Sequence, residues 1–263
     1  MKNLVSVITT TYNSLDYLQA NIDSIRRQKY SEIEHIIVDD GSNDGTEDFL
    51  SKIEDENIKC IVIPRSGRGR ALNIALAHSS GEYIAILDAD DVSHDERIDA
   101  QVRFFKNHHD CDLLCTEYTT HLKTLDKETG NKSSFQRLSA QDFLIKNTIC
   151  HSSFMMKRNV FPSDRFYDDN MKRLLDLNLW MRLLKREDVS FYKMQRPLVF
   201  KRIHNEQYFE RRNRFAYLKD IFYLKLDLIH HFQFTFWKKI LIMFVFAYGM
   251  LPRNLRRLWM GKK

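Results

Sequence analysis

"EYIAILDADD", residues 82 to 91, opens as a buried strand and closes on three carboxylates. Tyr83, Ile84, Ala85 and Ile86 form an unbroken apolar run, the pattern of a strand covered on both faces. Asp88, Asp90 and Asp91 follow at once. Like charges that close repel and are costly to desolvate, so water or a cation has to compensate them.

The same run-then-polar pattern recurs upstream. "VSVITTTY" (5 to 12), "EHIIVDD" (34 to 40) and "IKCIVIP" (58 to 64) read as three earlier strands. Between them lie helical stretches: Asn13 to Gln28, with Leu15, Leu18, Ile22 and Ile25 at helical spacing; the segment after Gly41; and "GRALNIALAHS" (69 to 79). A βαβαβαβ order with short connections predicts an α/β fold, with a Rossmann-like, mostly parallel sheet flanked by helices. Ligands of such sheets bind beyond the carboxyl ends of the strands. Thr10, Tyr12, Asp39, Asp40, Asp88 and Asp90 all gather at those ends.

Beyond Ser93 the pattern changes to helices with shorter strand candidates, "CDLLCTEY" (111 to 118), "SSFMMKR" (152 to 158) and "LVFKRIH" (198 to 204). Residues 119 to 136, rich in Thr, Lys, Asn and Ser, read as a mobile loop. Cys60, Cys111, Cys115 and Cys150 show neither the CxxC pairs of a zinc site nor the density of a disulfide scaffold, which fits a reducing cytoplasm. The N-terminal apolar run is too short for a signal peptide, and no stretch reaches a membrane span; the longest, Ile240 to Leu251, has twelve residues. Charge is uneven. Residues 206 to 263 hold 12 Lys and Arg against 4 Asp and Glu, whereas the other 205 residues hold 29 against 31.

Asp88-Ala89-Asp90 is a DxD element, two carboxylates through which Mg²⁺ or Mn²⁺ can bridge to a diphosphate. In "VDDGSNDGT" (38 to 46) a strand-end carboxylate can accept a base N–H while Gly41 and Gly45 let the backbone turn beside a ligand. "SGRGRALN" (66 to 73) lacks the third glycine of a dinucleotide fingerprint, but Arg68 and Arg70 before a helix suit phosphate. Taken singly, each has a plainer reading: a solvated acidic turn, a βα turn, a solvated basic turn.

In this order and at these separations, "VSVITTTYN", "IIVDDGSNDGT", "GRALN" and "LDADD" resemble the nucleotide-sugar-binding half of family 2 glycosyltransferases with the GT-A fold. The resemblance covers residues 4 to about 100 and continues more loosely to about 206. It implies that Thr10, Tyr12 and Asp40 hold the base, Asp40 meeting N3–H of a uracil. Asp39 and Asp88 would lie near base and ribose, Arg68 beside base or phosphates, and Asp90 on a divalent cation, Mn²⁺ or Mg²⁺, supported by Asp91. "ICHSSFMMKR" is similar to the family's His-Ser-Ser strand, which puts His151 beside the donor sugar. In "LLDLNLWMRLL" (174 to 184) Asp176 falls on the Asp of the family's Glu-Asp motif, with Leu179 and Trp180 on its Leu-Trp pair. Leu175 replaces the Glu and Leu177 an aromatic, so Asp176 is the expected general base on a departing motif. "FKRIHNEQ" resembles a late Arg-x-His element, with His204 as a second metal ligand.

The tail differs in kind. "RFAYLKDIFYLKLDLIHHF" (214 to 232) places Phe215, Leu218, Phe222, Leu226 and Ile229 on one helical stripe. From Phe232 onward, aromatics interleave with Lys238, Lys239, Arg253, Arg256, Arg257, Lys262 and Lys263. That suits a helix lying in the interface of an anionic membrane; a dimer interface and a packed terminal helix are the alternatives. A nucleic-acid partner is not expected, because phosphate binding does not require the apolar block.

The expected organisation is therefore a GT-A catalytic domain over 1–206, with its nucleotide-sugar half in 1–100 and its acceptor half in 101–206. A basic, aromatic helical tail over 207–263 follows. The expected function is inverting transfer from a nucleotide diphosphate sugar, UDP-sugar first, to a saccharide or lipid-linked saccharide, at the cytoplasmic face of the cell membrane. A noncatalytic binding subunit and a nucleotidyltransferase are the other classes. The latter wants a glycine-rich loop after the first strand, which "TTTYNSLDYL" lacks.

Overall fold

The structure, a computed structural model, describes residues 3–122, 134–161, 166–203 and 214–251. The chain forms two compact units. The first takes the chain up to Leu138 together with Ile149–Leu175 and Asp188–Arg202; the second takes Ser139–Thr148, Asp176–Glu187 and the residues from Ile203 on.

The first unit is built on one sheet. Strands β1 (Val5–Thr11), β2 (Ile33–Asp39), β3 (Ile58–Val62) and β4 (Tyr83–Ile86) are all parallel, in the order β3-β2-β1-β4. Helices α1 (Leu15–Arg26), α2 (Thr46–Leu50) and α3 (Arg68–Ala77) connect them. Val5 through Thr9 are buried without alternation, as are Ile36, Ile37 and Val38, so both faces of the sheet are covered. Leu18 and Ile22 of α1 pack with Ile37 and Leu50, while α4 (Arg97–Asn107) sets Ile98, Val102 and Phe105 against Val5, Val7, Tyr83 and Ala85. The mostly parallel α/β sheet predicted for residues 1–100 is what forms.

Beyond β4 the sheet turns mixed. The order continues through β8 (Met155–Lys157), β6 (Leu113–Thr119), β9 (Phe191–Phe200) and β5 (Val92–Ser93), with β7 (Phe135–Leu138) on β9. β8 is antiparallel to both β4 and β6. Two expectations change here. The strand predicted over 198–204 begins seven residues earlier and ends at Phe200, because Tyr192 and Met194 on one edge and Leu198 and Val199 on the core extend its pairing through Pro197. The predicted loop over 119–136 lies partly outside the described residues, and its end, from Phe135, is strand rather than loop. Phe135 gains edge contacts with Phe104 and His108, which local polarity could not foretell.

In the second unit, α5 (Leu175–Leu184) buries Leu177, Leu179, Trp180, Met181 and Leu183. Helices α6 (Arg214–His231) and α7 (Phe236–Met250) form a hairpin. The two helices meet closely where Gly249 faces Leu218, a side chain that a Cβ at Gly249 would touch at 3.0 Å. Lys225 of α6 is buried and donates from Nζ to the Ile145 carbonyl at 2.9 Å; burial lowers its ammonium to about 8.

Candidate active site

The carboxyl ends of β1, β2 and β4 each deliver a polar group, as parallel topology requires. Asp40, just past β2, is 2% exposed. Its Oδ1 accepts from the Ser66 N–H at 2.7 Å, from the Ser66 hydroxyl at 3.0 Å and from the Gly67 N–H, and its Oδ2 is ion-paired with Arg65. The Arg65 guanidinium also lies over the exposed Tyr12 ring, 3.7 Å from its centroid. Two glycines make this possible. Gly67 sits at φ +96°, freeing its N–H for Asp40, and Gly41 at φ +71° approaches so closely that a Cβ there would meet the Arg65 nitrogen at 2.7 Å. Asp39, fully buried, instead holds its own turn through the Ser42 hydroxyl and the Ser42 N–H at 3.2 Å.

A second cluster surrounds the β4 end. Asp88 Oδ1 accepts from Arg68 Nη2 at 2.6 Å and lies 3.0 Å from His151 Nδ1; His151 Nε2 is 2.9 Å from the Tyr167 hydroxyl. Burial alone would raise the Asp88 carboxyl, but Arg68 and His151, with Lys201, hold it well below the usual carboxylate range. Asp91 behaves oppositely. Burial, with repulsion from Asp88 and Asp90, pushes its carboxyl up to about 7, although the Ser152 hydroxyl and the Arg202 N–H, at 2.9 Å, both donate to it. Lys201 is itself held protonated above its ordinary range: burial opposes this, but its neighbours, the Cys150 thiol and the carboxyls of Asp88, Asp91 and Asp90, outweigh it.

The loop from Asp88 to Asp91 is fixed from beneath. Asn21, a fully buried residue of α1, donates to the Asp88 carbonyl at 2.9 Å and the Asp91 carbonyl at 3.1 Å. Thr9 donates to the Leu87 carbonyl at 2.9 Å, and Arg202 Nε to the Asp90 carbonyl at 3.1 Å. Arg97, fully buried, ties the Ile86 carbonyl to the Phe154 carbonyl. The acidic loop therefore has a fixed backbone before any ligand arrives.

With this geometry in view, the comparisons with known proteins take a definite meaning. Residues 6–163 match the family described as Glycosyl transferase family 2. The chain belongs to that family. The putative teichuronic acid biosynthesis glycosyltransferase TuaG of Bacillus subtilis (strain 168) is 31% identical over 241 residues, covering 89% of this chain and 92% of its own. Among solved structures, TarS of S. aureus in complex with UDP-GlcNAc superposes with a TM-score of 0.69 at 17% identity, over 98% of this chain and 76% of that one. The mannosyltransferase PcManGT of Pyrobaculum calidifontis, in complex with GDP-Man and Mn²⁺, gives 0.62 at 16% identity, over 98% and 76%. At such identities the superpositions speak for the GT-A fold, which the chain shares. The protein is a glycosyltransferase.

Of the residues expected in a family 2 site, Tyr12, Asp39, Asp40, Arg68, Asp88, Asp90 and His151 all lie in the first unit, with Thr10 in β1. Asp88, Arg68 and His151 are in mutual contact, and Asp40 is joined to Tyr12 through Arg65. Asp176 belongs to the second unit, in the first turn of α5, where Asn147 donates to its Oδ2 at 2.7 Å. His204 lies outside the described residues. Sequence reasoning passed over Arg65, Lys201, Tyr167 and Asn21. Arg65 directly precedes the quoted "SGRGRALN" and was within reach, while the other three owe their place to tertiary contacts.

The donor set bears on a cation. Among the described residues no three His, Cys, Asp or Glu side chains form a cage for a metal ion. Asp88 is engaged by Arg68 and His151, and Asp91 by Ser152 and Arg202, while Arg202 Nε holds the Asp90 carbonyl between them, so the loop presents its carboxylates from a fixed backbone. Mg²⁺ and Mn²⁺ sites of this kind use one or two carboxylates and complete themselves with substrate phosphate oxygens, so the residues present fit such an ion.

Proposed function

We propose that the protein is an inverting glycosyltransferase that moves a sugar from a nucleotide diphosphate sugar, a UDP-sugar first, to an acceptor hydroxyl in the synthesis of a cell-surface polysaccharide or glycolipid. The observation that carries this reading is the β4-end loop. Its backbone is fixed by Asn21 and Arg202, Asp88 is held ionised by Arg68 and His151, and Lys201 stands beside it. Acid and base mixed at one strand end suit a diphosphate together with its cation better than either alone. The teichuronic acid role in TuaG's name supports a polysaccharide product, and the UDP-GlcNAc of TarS and the GDP-Man of PcManGT support a nucleotide-sugar donor.

In this reading Tyr12 and Arg65 provide faces for the base, and Asp40 becomes its hydrogen-bond partner by exchanging Arg65 for the base N–H. Arg68 stands beside the base or the phosphates, and His151 beside the donor sugar. Asp176 takes the proton of the acceptor hydroxyl as its oxygen attacks the anomeric carbon opposite the leaving group, inverting that centre. A cation held by Asp90, with His204 as the family resemblance implies, would neutralise charge on the departing diphosphate.

Thermal denaturation with UDP, GDP, ADP and CMP, each with Mn²⁺ and with EDTA, tests the donor side. UDP is expected to stabilise the protein most, and only with Mn²⁺; Asp90→Ala is expected to lose that dependence. Asp176→Asn is expected to keep donor stabilisation while transfer falls by about 10²–10⁴, the usual worth of a general base. Near-normal transfer by Asp176→Asn would remove that residue from the mechanism.

A further inference from the structure

Helix α7 has its faces the wrong way round for a water-facing helix. Its inner side, with Ile242, Phe246 and Gly249, lies against Phe215, Leu218 and Phe222 of α6. Its outer side is apolar as well. Phe236, Trp237, Met243 and Phe244 each expose more than half of their surface, and Met250 and Leu251 extend the row. The positions 236/237, 240, 243/244, 247 and 250/251 recur at the helical period, so these side chains form one stripe along the whole helix. Isolated exposed apolar residues are ordinary; a continuous stripe of aromatics and methionines marks a surface that something covers.

The chemistry around the stripe identifies what covers it. No acidic residue lies between Asp227 and the C-terminus, while Lys238 and Lys239 lie on α7 itself and Arg253, Arg256, Arg257, Lys262 and Lys263 follow it in sequence. A second copy of this chain would bring the same positive charges against themselves as it covered the stripe. An anionic surface reverses the sign of that interaction. At 1.5 Å per residue the fifteen residues of α7 reach about 22 Å, short of the hydrocarbon thickness, and among the described residues no helix is long and apolar enough to cross a membrane. A helix of this kind lies in the plane of the interface, its aromatic row among the acyl chains and its flanking lysine at the headgroups.

We infer that the outer face of α7 is a docking surface for an anionic lipid bilayer, in which Phe236, Trp237 and Phe244 insert and Lys239, on the flank of the stripe, contacts headgroup phosphates, whereas Lys238 turns inward to Gln141. This goes beyond the donor chemistry and does not depend on it.

The test uses the full chain and vesicles of phosphatidylcholine with and without phosphatidylglycerol. Sedimentation with the vesicles is expected only when phosphatidylglycerol is present, and is expected to weaken as salt is raised. Replacing the three aromatics together, F236S/W237S/F244S, is expected to lower partitioning about a hundredfold. The reversal K239E is expected to lower it chiefly on anionic vesicles. All four side chains belong to the second unit, whereas the residues proposed to hold the nucleotide belong to the first, so UDP stabilisation serves as the control for folding and is expected to persist in both variants. Absence of binding by the wild-type chain would overturn the inference, as would undiminished binding by the triple variant with UDP stabilisation intact. Concentration-dependent dimerisation that the triple variant abolishes, without vesicle binding, would assign the stripe to a second copy instead. If the triple variant loses UDP stabilisation as well, K239E decides: undiminished anionic-vesicle binding by it overturns the inference.

Discussion

Asp40 and Asp91 are two carboxylates of one sheet, each at most 2% exposed, each just beyond the end of a parallel strand, and their surroundings answer the same problem differently. Around Asp40 the chain supplies cationic and backbone donors: Arg65, the Ser66 N–H and the Gly67 N–H. Around Asp91 the described residues supply a hydroxyl and one N–H at contact distance, with Lys201 nearby, and place Asp88 and Asp90 next to it. Burial costs both alike, so the partners decide the outcome. One loop is completed within the chain, and the other is left strained by its own charge.

The comparison breaks most directly at Asp40. Asp40→Ala leaves the half-buried Ser66 and Gly67 N–H groups without their acceptor and Arg65 without its ion-pair partner, and is expected to cost about 3 kcal/mol in denaturant unfolding. A cost near zero would mean that the loop holds itself without the carboxylate. Next comes the support beneath the second loop. Asn21→Ala removes two hydrogen bonds to carbonyls and is expected to cost about 2 kcal/mol. Beyond stability, it should raise the Mn²⁺ concentration at which UDP stabilises the protein, a shift that a merely structural role would not produce.

The smallest effect has the opposite sign. Asp91→Asn keeps an acceptor for the Arg202 N–H and removes the charge, and at pH 8 in EDTA it is expected to stabilise the protein by about 1–2 kcal/mol. The pH dependence follows from the raised carboxyl. Between the ordinary carboxylate range and about 7 the folded state keeps a proton that the unfolded state has lost, so this group's contribution to stability falls as pH rises through that window. In Asp91→Asn that decline is expected to vanish. His35 slopes the other way: burial lowers its imidazole to about 3, so the unfolded state takes up a proton first and stability falls as pH drops below the ordinary histidine range. His35→Gln is expected to flatten the acid limb.

Much of the fold was legible because the first four strands carry their message locally. An apolar run such as Tyr83 to Ile86 can only be covered on both faces, and the helical spacing of Leu18, Ile22 and Ile25 matches their burial. β9 was legible only at its end, since Lys193, Gln195, Arg196 and Pro197 interrupt its apolar pattern, and β7 was hidden in polar sequence. The candidate site divided along the same line. Carboxylates at strand ends announce themselves by position, and so Asp39, Asp40 and Asp88 stand out as candidates. Their partners come from far along the chain: Arg202 reaches Asp91 across 111 positions and Tyr167 reaches His151 from a loop, and no local pattern encodes either. The outer row of α7 was visible as interleaved aromatics, but which side of the helix faced outward depended on how α6 packed.

The placement of β8 has a consequence in time. β8 lies between β4 and β6 in the sheet, yet Met155 follows Ile86 by some seventy residues of chain. At ordinary synthesis rates that interval is on the order of 4–14 s. Throughout it a nascent chain can pair β3, β2, β1 and β4, but β4 is the rim of that partial sheet, its amides and apolar side chains open to any passing strand. Ser152 and His151, which hold Asp91 and Asp88, arrive with the segment that closes the rim. The stretch that completes the acidic loop is thus also the one that ends the chain's exposure to mispairing during its birth.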